Sequence, residues 1–119
     1  MKKILIADDS FFAKKTLKDI LNQAGYTDII TSSDGIETIE KYKKEKPDLI
    51  FLDIIMDKKN GIEVLKEIRK EDIKTYVVML TIIAQREILS EVLTLGVSDY
   101  IVKPFNEERI LSVVKKILG

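Results

Sequence analysis

The sequence predicts an α/β fold, a parallel sheet with helices on both faces. Two patterns carry that prediction. Short apolar runs alternate with longer amphipathic stretches, five times along the 119-residue chain, the succession that consecutive βα units leave behind. Polar residues also stand at the carboxyl ends of four of those runs: Asp8 and Asp9 after residues 4–7, Asp53 after Leu49–Leu52, Thr81 after residues 77–80, and Lys103 after residues 100–102. As neighbouring parallel strands these runs bring their carboxyl ends to one edge, where open α/β sheets bind ligands.

The elements follow in order. Lys3–Ala7 reads as a strand. Residues 10–24 have helical spacing, with Phe12, Thr16 and Ile20 on one line and Leu17, Leu21 and Ala24 on the next, and stop at Gly25. Ser10, or an aspartate before it, can cap this helix. Residues 28–31 form a short strand. Residues 35–44 are helical, with Ile36, Ile39 and Tyr42 on one side, and the lysine-rich residues 41–46 read as a solvated helix end. Pro47-Asp48 separates them from Leu49–Leu52, a run apolar throughout and expected to be buried on both faces.

Residues 61–69 carry Ile62, Leu65 and Ile68 at helical spacing, and residues 76–80 make the fourth strand. Residues 85–95 form the fourth helix and end at Gly96, a C′ glycine. Ile88, Val92 and Leu95 give it a core-facing line; Leu89 and Leu93 form a neighbouring line, either a wider core face or a partner surface. Residues 100–102 are the fifth strand and residues 106–118 the last helix, with Ile110, Val113, Val114 and Ile117 inward. Right-handed crossovers distribute these helices over both faces of the sheet. The length suits one domain spanning residues 1–119, with no linker, repeat or low-complexity segment.

Composition removes several classes of chemistry. There are no cysteines and no histidines, so thiolate metal sites, cysteine nucleophiles, Ser-His-Asp triads and imidazole zinc sites are impossible. General acid–base work falls to Asp, Glu, Lys or Tyr. Lys plus Arg and Asp plus Glu both number 20, so no bulk charge draws the chain to nucleic acid or to an anionic membrane. Met1-Lys2-Lys3 is followed by an apolar run that ends at Ala7, too short for a signal peptide, and no stretch is long enough to span a membrane. The chain is expected to be soluble and cytoplasmic, with no membrane insertion and no direct nucleic-acid partner.

The polar edge suits a divalent cation and a phosphoryl group. Asp is a leading helix cap and a common turn residue, so Asp8, Asp9 and Asp53 taken singly have ordinary explanations. Together they do not: three carboxylates at one edge repel one another strongly, and Mg2+, which takes hard oxygen ligands, removes that cost. Asp8 and Asp9 are adjacent, so their side chains diverge and one binds an ion more directly than the other. Asp53 can act as a nucleophile on phosphorus, forming an acyl phosphate. Lys103 precedes Pro104, which restricts its backbone, and a defined backbone helps a long side chain reach one target. The Thr81 hydroxyl can donate to a phosphoryl oxygen. Tyr100 reads either as a ring packed at the sheet edge or as one that moves with Thr81.

In order and spacing, Asp8-Asp9, Asp53, Thr81 and Lys103-Pro104 resemble the receiver domain of two-component response regulators, of the single-domain chemotaxis type. The stretch from Leu95 to Phe105, Leu-Gly-Val-Ser-Asp-Tyr-Ile-Val-Lys-Pro-Phe, is similar to that family's fifth-strand region. Asp53-Ile54-Ile55-Met56 with Gly61 is similar to its phosphorylation loop. The resemblance covers the whole chain. It implies a flavodoxin-like (βα)5 fold with a five-stranded sheet of order 2-1-3-4-5, an order that belongs to the family and is not read from the pattern. It implies that Asp53 accepts a phosphoryl group from a sensor histidine kinase or phosphotransfer protein. Asp9, Asp53 and the backbone carbonyl of Ile55 would bind Mg2+, with Asp8 acting partly through water. Thr81 and Lys103 would contact the phosphoryl group, and Tyr100 would be the switch aromatic. Such a protein catalyses only its own phosphotransfer and dephosphorylation, and signals to a downstream target that the sequence does not identify.

The chain departs from the family pattern in places. Asp57 and Lys59 stand where the family often has Pro and Met, so this loop is expected to be less rigid. Ile82 replaces a small residue after the switch threonine and is expected to narrow access to the phosphoryl group. Ile55 and Ile83 occupy positions that influence attack by water in similar domains, and two apolar side chains there predict a slowly hydrolysing aspartyl phosphate. Phe11 or Phe12 could dock a kinase helix, with at least one of the two in the core. Other readings are weaker. An FMN site would be repelled by Asp8-Asp9, no dinucleotide glycine motif follows the first strand, and an aspartyl phosphatase would want an acid where Ile55 stands. The main alternative is a receiver-shaped interaction module that is not phosphorylated.

Overall fold

The computed structural model describes residues 2–119. Five strands, β1 (Lys3–Ala7), β2 (Asp28–Ser32), β3 (Leu49–Leu52), β4 (Tyr76–Thr81) and β5 (Asp99–Val102), alternate with five helices, α1 (Phe11–Gln23), α2 (Gly35–Glu45), α3 (Gly61–Glu71), α4 (Arg86–Thr94) and α5 (Glu107–Leu118). The sheet is parallel, in the order β2-β1-β3-β4-β5, as the resemblance implied. Strand side chains alternate between two cores. Leu5, Ala7, Ile50, Leu52, Val77 and Met79 pack with α2, α3 and α4 through Ile39, Val64, Leu65, Ile68 and Val92. Ile4, Ile6, Leu49, Phe51, Val78, Leu80 and Ile101 pack on the other face with Leu17 and Leu21 of α1 and Ile110, Val113 and Val114 of α5. All of β3 is buried, because it lies inside the sheet with helices over both faces.

Four of the five helix starts carry a side-chain cap, α4 being the exception. Ser10 caps α1 by accepting the Ala13 N–H at 3.1 Å. Asp34 caps α2 through the Glu37 N–H, and Asn106 caps α5 through the Arg109 N–H. Asn60 and Glu63 form a reciprocal capping box at α3. At the far end of α4, Gly96 adopts the left-handed φ of 79° expected of a C′ glycine.

Two expectations are corrected. Phe11 and Phe12 are both 77% exposed, so neither is core. The inward stripe of α1 runs through Leu17 and Leu21, and one turn back it reaches Ala13 and Lys14, leaving both phenylalanines to its sides. Ile36 is 44% exposed and does not join Ile39 and Tyr42. The buried face of α2 is Gly35, Thr38 and Ile39, because Gly35 sits tightly against the loop after β3. In α4, Val92 is buried, Ile88 and Leu95 pack against the core, and Leu93 is 56% exposed.

One cation ties together the amino-terminal side of the sheet. The Arg69 guanidinium donates to the carbonyls of Asp72, Thr75, Leu95 and Gly96 at 2.9 to 3.1 Å, joining the end of α3 to the turn after α4. Beside it the Asp72 carboxylate accepts from Tyr42 Oη at 2.7 Å, Thr75 Oγ1 and the N–H groups of Lys74 and Thr75. Burial pushes the Asp72 carboxyl up, but these hydrogen bonds more than reverse it and hold the group well below the usual carboxylate range. Burial and the Asp72 hydrogen bond push the Tyr42 hydroxyl up to about 12. Arg69→Met leaves four carbonyls without this donor and is expected to lower stability by about 2 kcal/mol, measured as a shift of the urea midpoint at unchanged slope.

Candidate metal and phosphoryl site

Strand register assembles the site. Ala7 of β1 pairs with Leu52 of β3, and the ladder continues one step, Asp53 N–H donating to Ala7 O at 2.9 Å. On the other side of β1 the Asp8 N–H donates to Ser32 O at 3.1 Å, and beyond β4 the Lys103 N–H donates to Thr81 O at 2.8 Å. The residues that end these strands are thus fixed by sheet hydrogen bonds. Carboxylate oxygens of Asp8, Asp9 and Asp53 lie within 4.8 Å of one another, with Asp8 and Asp53 buried and Asp9 exposed.

Lys103 bridges the two buried carboxylates. Its Nζ lies 2.6 Å from Asp8 Oδ2 and 3.0 Å from Asp53 Oδ2. The other oxygens are also engaged: Asp8 Oδ1 accepts the Ser10 N–H at 2.9 Å and Asp53 Oδ1 accepts the Ile55 N–H at 3.1 Å. Burial pulls the Lys103 ammonium down, but its hydrogen bonds to Asp8 and Asp53 and their charges outweigh this and hold it above the ordinary lysine value. The Lys103–Pro104 bond is cis, a detail the sequence left open. One ammonium against three carboxylates leaves the edge electronegative. A cluster of hard anionic oxygens, open on the Asp9 side, fits a small divalent cation such as Mg2+.

Thr81 and Tyr100 meet at the backbone of one residue, Ile83. Thr81, fully buried, accepts the Ile83 N–H on Oγ1 at 3.4 Å, and Tyr100 Oη donates to Ile83 O at 2.6 Å. Burial, and then the nearby Asp53 charge, push the Tyr100 hydroxyl up. The tyrosine ring packs against the core that faces α4. Sequence reasoning paired Thr81 with Tyr100 but missed the Ile83 backbone between them, since backbone groups carry no residue-type signal. Ile55 is 45% exposed and Ile82 is 65% exposed. Ile82 shares an apolar groove with Phe12, Ala13, Pro104 and Phe105 directly beside Lys103.

With this geometry in hand, the comparisons are specific. The family model described as the response regulator receiver domain matches residues 4–115, and the chain belongs to that family, whose place is in two-component signalling. Within it the chain is a receiver of the chemotaxis, CheY type. It is 38% identical over 116 residues to the chemotaxis protein CheY of Thermotoga maritima, covering 98% of this chain and 97% of that one. It is 39% identical over 119 residues to protein CcdB of Bacillus subtilis, covering 100% of this chain and 99% of that one. Among solved structures, the CheX–CheY–BeF3–Mg2+ complex from Borrelia burgdorferi superposes with a TM-score of 0.94 at 32% identity, covering 99% of this chain and 90% of that one. No helix among the described residues is long and apolar enough to cross a membrane.

Lys103→Met removes the cation between two buried carboxylates and is expected to cost about 2–3 kcal/mol in metal-free buffer, less than a fully buried pair because the lysine is partly exposed. A lysine held above its ordinary value of 10.5 stabilises the fold fully below that pH and loses its contribution as pH rises through the folded value. The gap between wild type and Lys103→Met in chemical denaturation should therefore stay constant from about pH 7 to 10 and shrink above that window.

Proposed function

We propose that this chain is a phosphorylation-dependent signalling switch, working as one receiver domain in the cytoplasm. Asp53 is the phosphoacceptor. Asp8, Asp9 and Asp53, with the backbone carbonyl of Ile55, hold Mg2+. What supports the reading is the contact of Lys103 Nζ with both Asp8 and Asp53 beside Asp9, on a chain of the receiver family.

A carboxylate oxygen of Asp53 attacks phosphorus as the P–N bond of a kinase or phosphotransfer-protein phosphohistidine breaks. The imidazole leaves with the bonding pair, and the product is an acyl phosphate. A small acyl phosphate donor reacts the same way with its P–O bond breaking. When bound, Mg2+ supplies positive charge to the transferred oxygens. Lys103, already 3.0 Å from Asp53 Oδ2, provides the second positive charge. The Thr81 hydroxyl donates to a phosphoryl oxygen, and in moving to do so it strains its contact with the Ile83 N–H. Tyr100 Oη donates to the carbonyl of that same residue, so the ring follows. Contacts that the phosphoryl group gains in one arrangement and lacks in the other shift the population between them, and the partner is a downstream protein that reads the shifted surface. No catalysis on an external substrate is involved.

Incubation with Mg2+ and a small acyl phosphate is expected to add one phosphoryl mass to the intact protein, and Asp53→Asn is expected to abolish it. No addition from a small donor or from a histidine kinase would favour a binding module of receiver shape instead. Ile55 and Ile83 offer no side-chain hydrogen bond to an attacking water, so the phosphorylated protein is expected to hydrolyse slowly. The double variant Ile55→Asn, Ile83→Glu should shorten the lifetime measured by loss of the added mass, and equal lifetimes would refute the assignment.

A further inference from the structure

The loop between β3 and α3, residues 53–60, is pressed between two helix starts. On one side Gly61, first residue of α3, donates its N–H to Ile54 O at 2.8 Å. A Cβ on Gly61 would stand 2.2 Å from the Asp53 carbonyl oxygen. On the other side Gly35, first residue of α2, donates its N–H to Asp57 O at 3.1 Å, the same oxygen that accepts the Lys59 N–H at 2.8 Å. A Cβ on Gly35 would stand 2.0 Å from the Lys59 carbonyl oxygen and 2.5 Å from Lys59 Cβ. Neither glycine has a left-handed φ, so both positions demand space and not conformational freedom.

The contact at Gly35 serves both partners. The first N–H groups of a helix have no acceptor within that helix, and the loop supplies one. In return the loop gains a fixed anchor two residues beyond Ile55. Lys58, between the two engaged residues, has a left-handed φ of 69°, a conformation a non-glycine residue keeps only when its surroundings hold it. Its ammonium lies 3.5 Å from the Asp34 carboxylate, which itself caps α2. The buried side chains of Ile54 and Met56 pin the loop from beneath.

We propose that Gly35, outside the acidic cluster and on a different element, is a positioning residue for the metal site. Its missing side chain lets the backbone of α2 hold the β3–α3 loop close, and so sets where the Ile55 carbonyl and the Asp53 carboxylate stand relative to Asp9. Any side chain at position 35 drives Lys59 and Asp57 outward and moves the loop's oxygen away from the cation.

The inference rests on the metal site proposed above, and the test separates the two. Mg2+ affinity of the full chain is measured by titration calorimetry for wild type, Gly35→Ala and Leu21→Ala. Leu21→Ala lowers stability from the opposite face of the sheet without touching the loop. Gly35→Ala is expected to bind Mg2+ about tenfold more weakly or worse, the usual effect of disturbing groups that orient metal ligands, while Leu21→Ala binds like wild type. Equal affinity in Gly35→Ala and wild type overturns the positioning role and leaves the metal site standing. An equal loss in Leu21→Ala assigns the effect to general destabilisation and also overturns it. A wild type that binds no Mg2+ removes the metal site and this inference together. Should Gly35→Ala fail to fold, the wild-type amide spectrum decides: the Gly35 resonance is expected to shift along the Mg2+ titration, and a stationary Gly35 signal alongside moving Asp9 and Asp53 signals overturns the proposal.

Discussion

The structure depends on holding like charges together. Carboxylates of Asp8, Asp9 and Asp53 lie within 4.8 Å of one another, a separation at which each pair repels by roughly 3–4 kcal/mol at the effective dielectric of about 20 that suits protein sites. Left to itself this edge would come apart. It stays because the backbone ladder through Ala7 and Asp53 fixes the strand ends, because the two cores on either face anchor those strands, and because Lys103 returns one positive charge between the two buried members. The remaining negative charge makes the edge receptive to a cation, and under the proposed function that cation prepares it for a phosphoryl group.

The same edge connects to the rest of the molecule through backbone more than through side chains. Thr81 and Tyr100 both bond the backbone of Ile83, one at its N–H and the other at its carbonyl, and the Ile83 side chain packs against the core facing α4. Under the proposed function a movement of the threonine reaches the tyrosine through the backbone of that one residue. On the opposite side the loop after β3 is held by two glycines whose neighbours leave no room for a Cβ. The site is thus framed by contacts that tolerate little displacement.

Much of this was legible in the residues. The alternation of apolar runs with helical stretches located every element to within about two residues, because buried parallel strands and amphipathic helices impose different periods on the chain. Asp53, Thr81 and Lys103 were visible because each closes an apolar run, and a polar residue there faces the ligand edge of an α/β sheet. Other features were not legible. Phe12 fits a helical line with Thr16 and Ile20, yet it projects into a surface groove, since the inward stripe of α1 is set by where the sheet lies. Ile36 fits a line with Ile39 and Tyr42, yet Gly35 and Thr38 take the buried side, with Gly35 packed against the β3–α3 loop. Arg69 gave no signal at all, because its partners are main-chain carbonyls.

What the sequence by itself determined is the succession of strands and helices, the absence of thiol and imidazole chemistry, and the set of oxygen and ammonium groups available at strand ends. These follow from residue type and period, which are local properties. What only the tertiary structure decided is which groups touch: Lys103 on Asp8 as well as Asp53, Ile83 between Thr81 and Tyr100, and Gly35 against Lys59. Those contacts join residues far apart in the chain or pass through peptide groups that every residue shares, so no reading of side-chain identity along one dimension could have specified them.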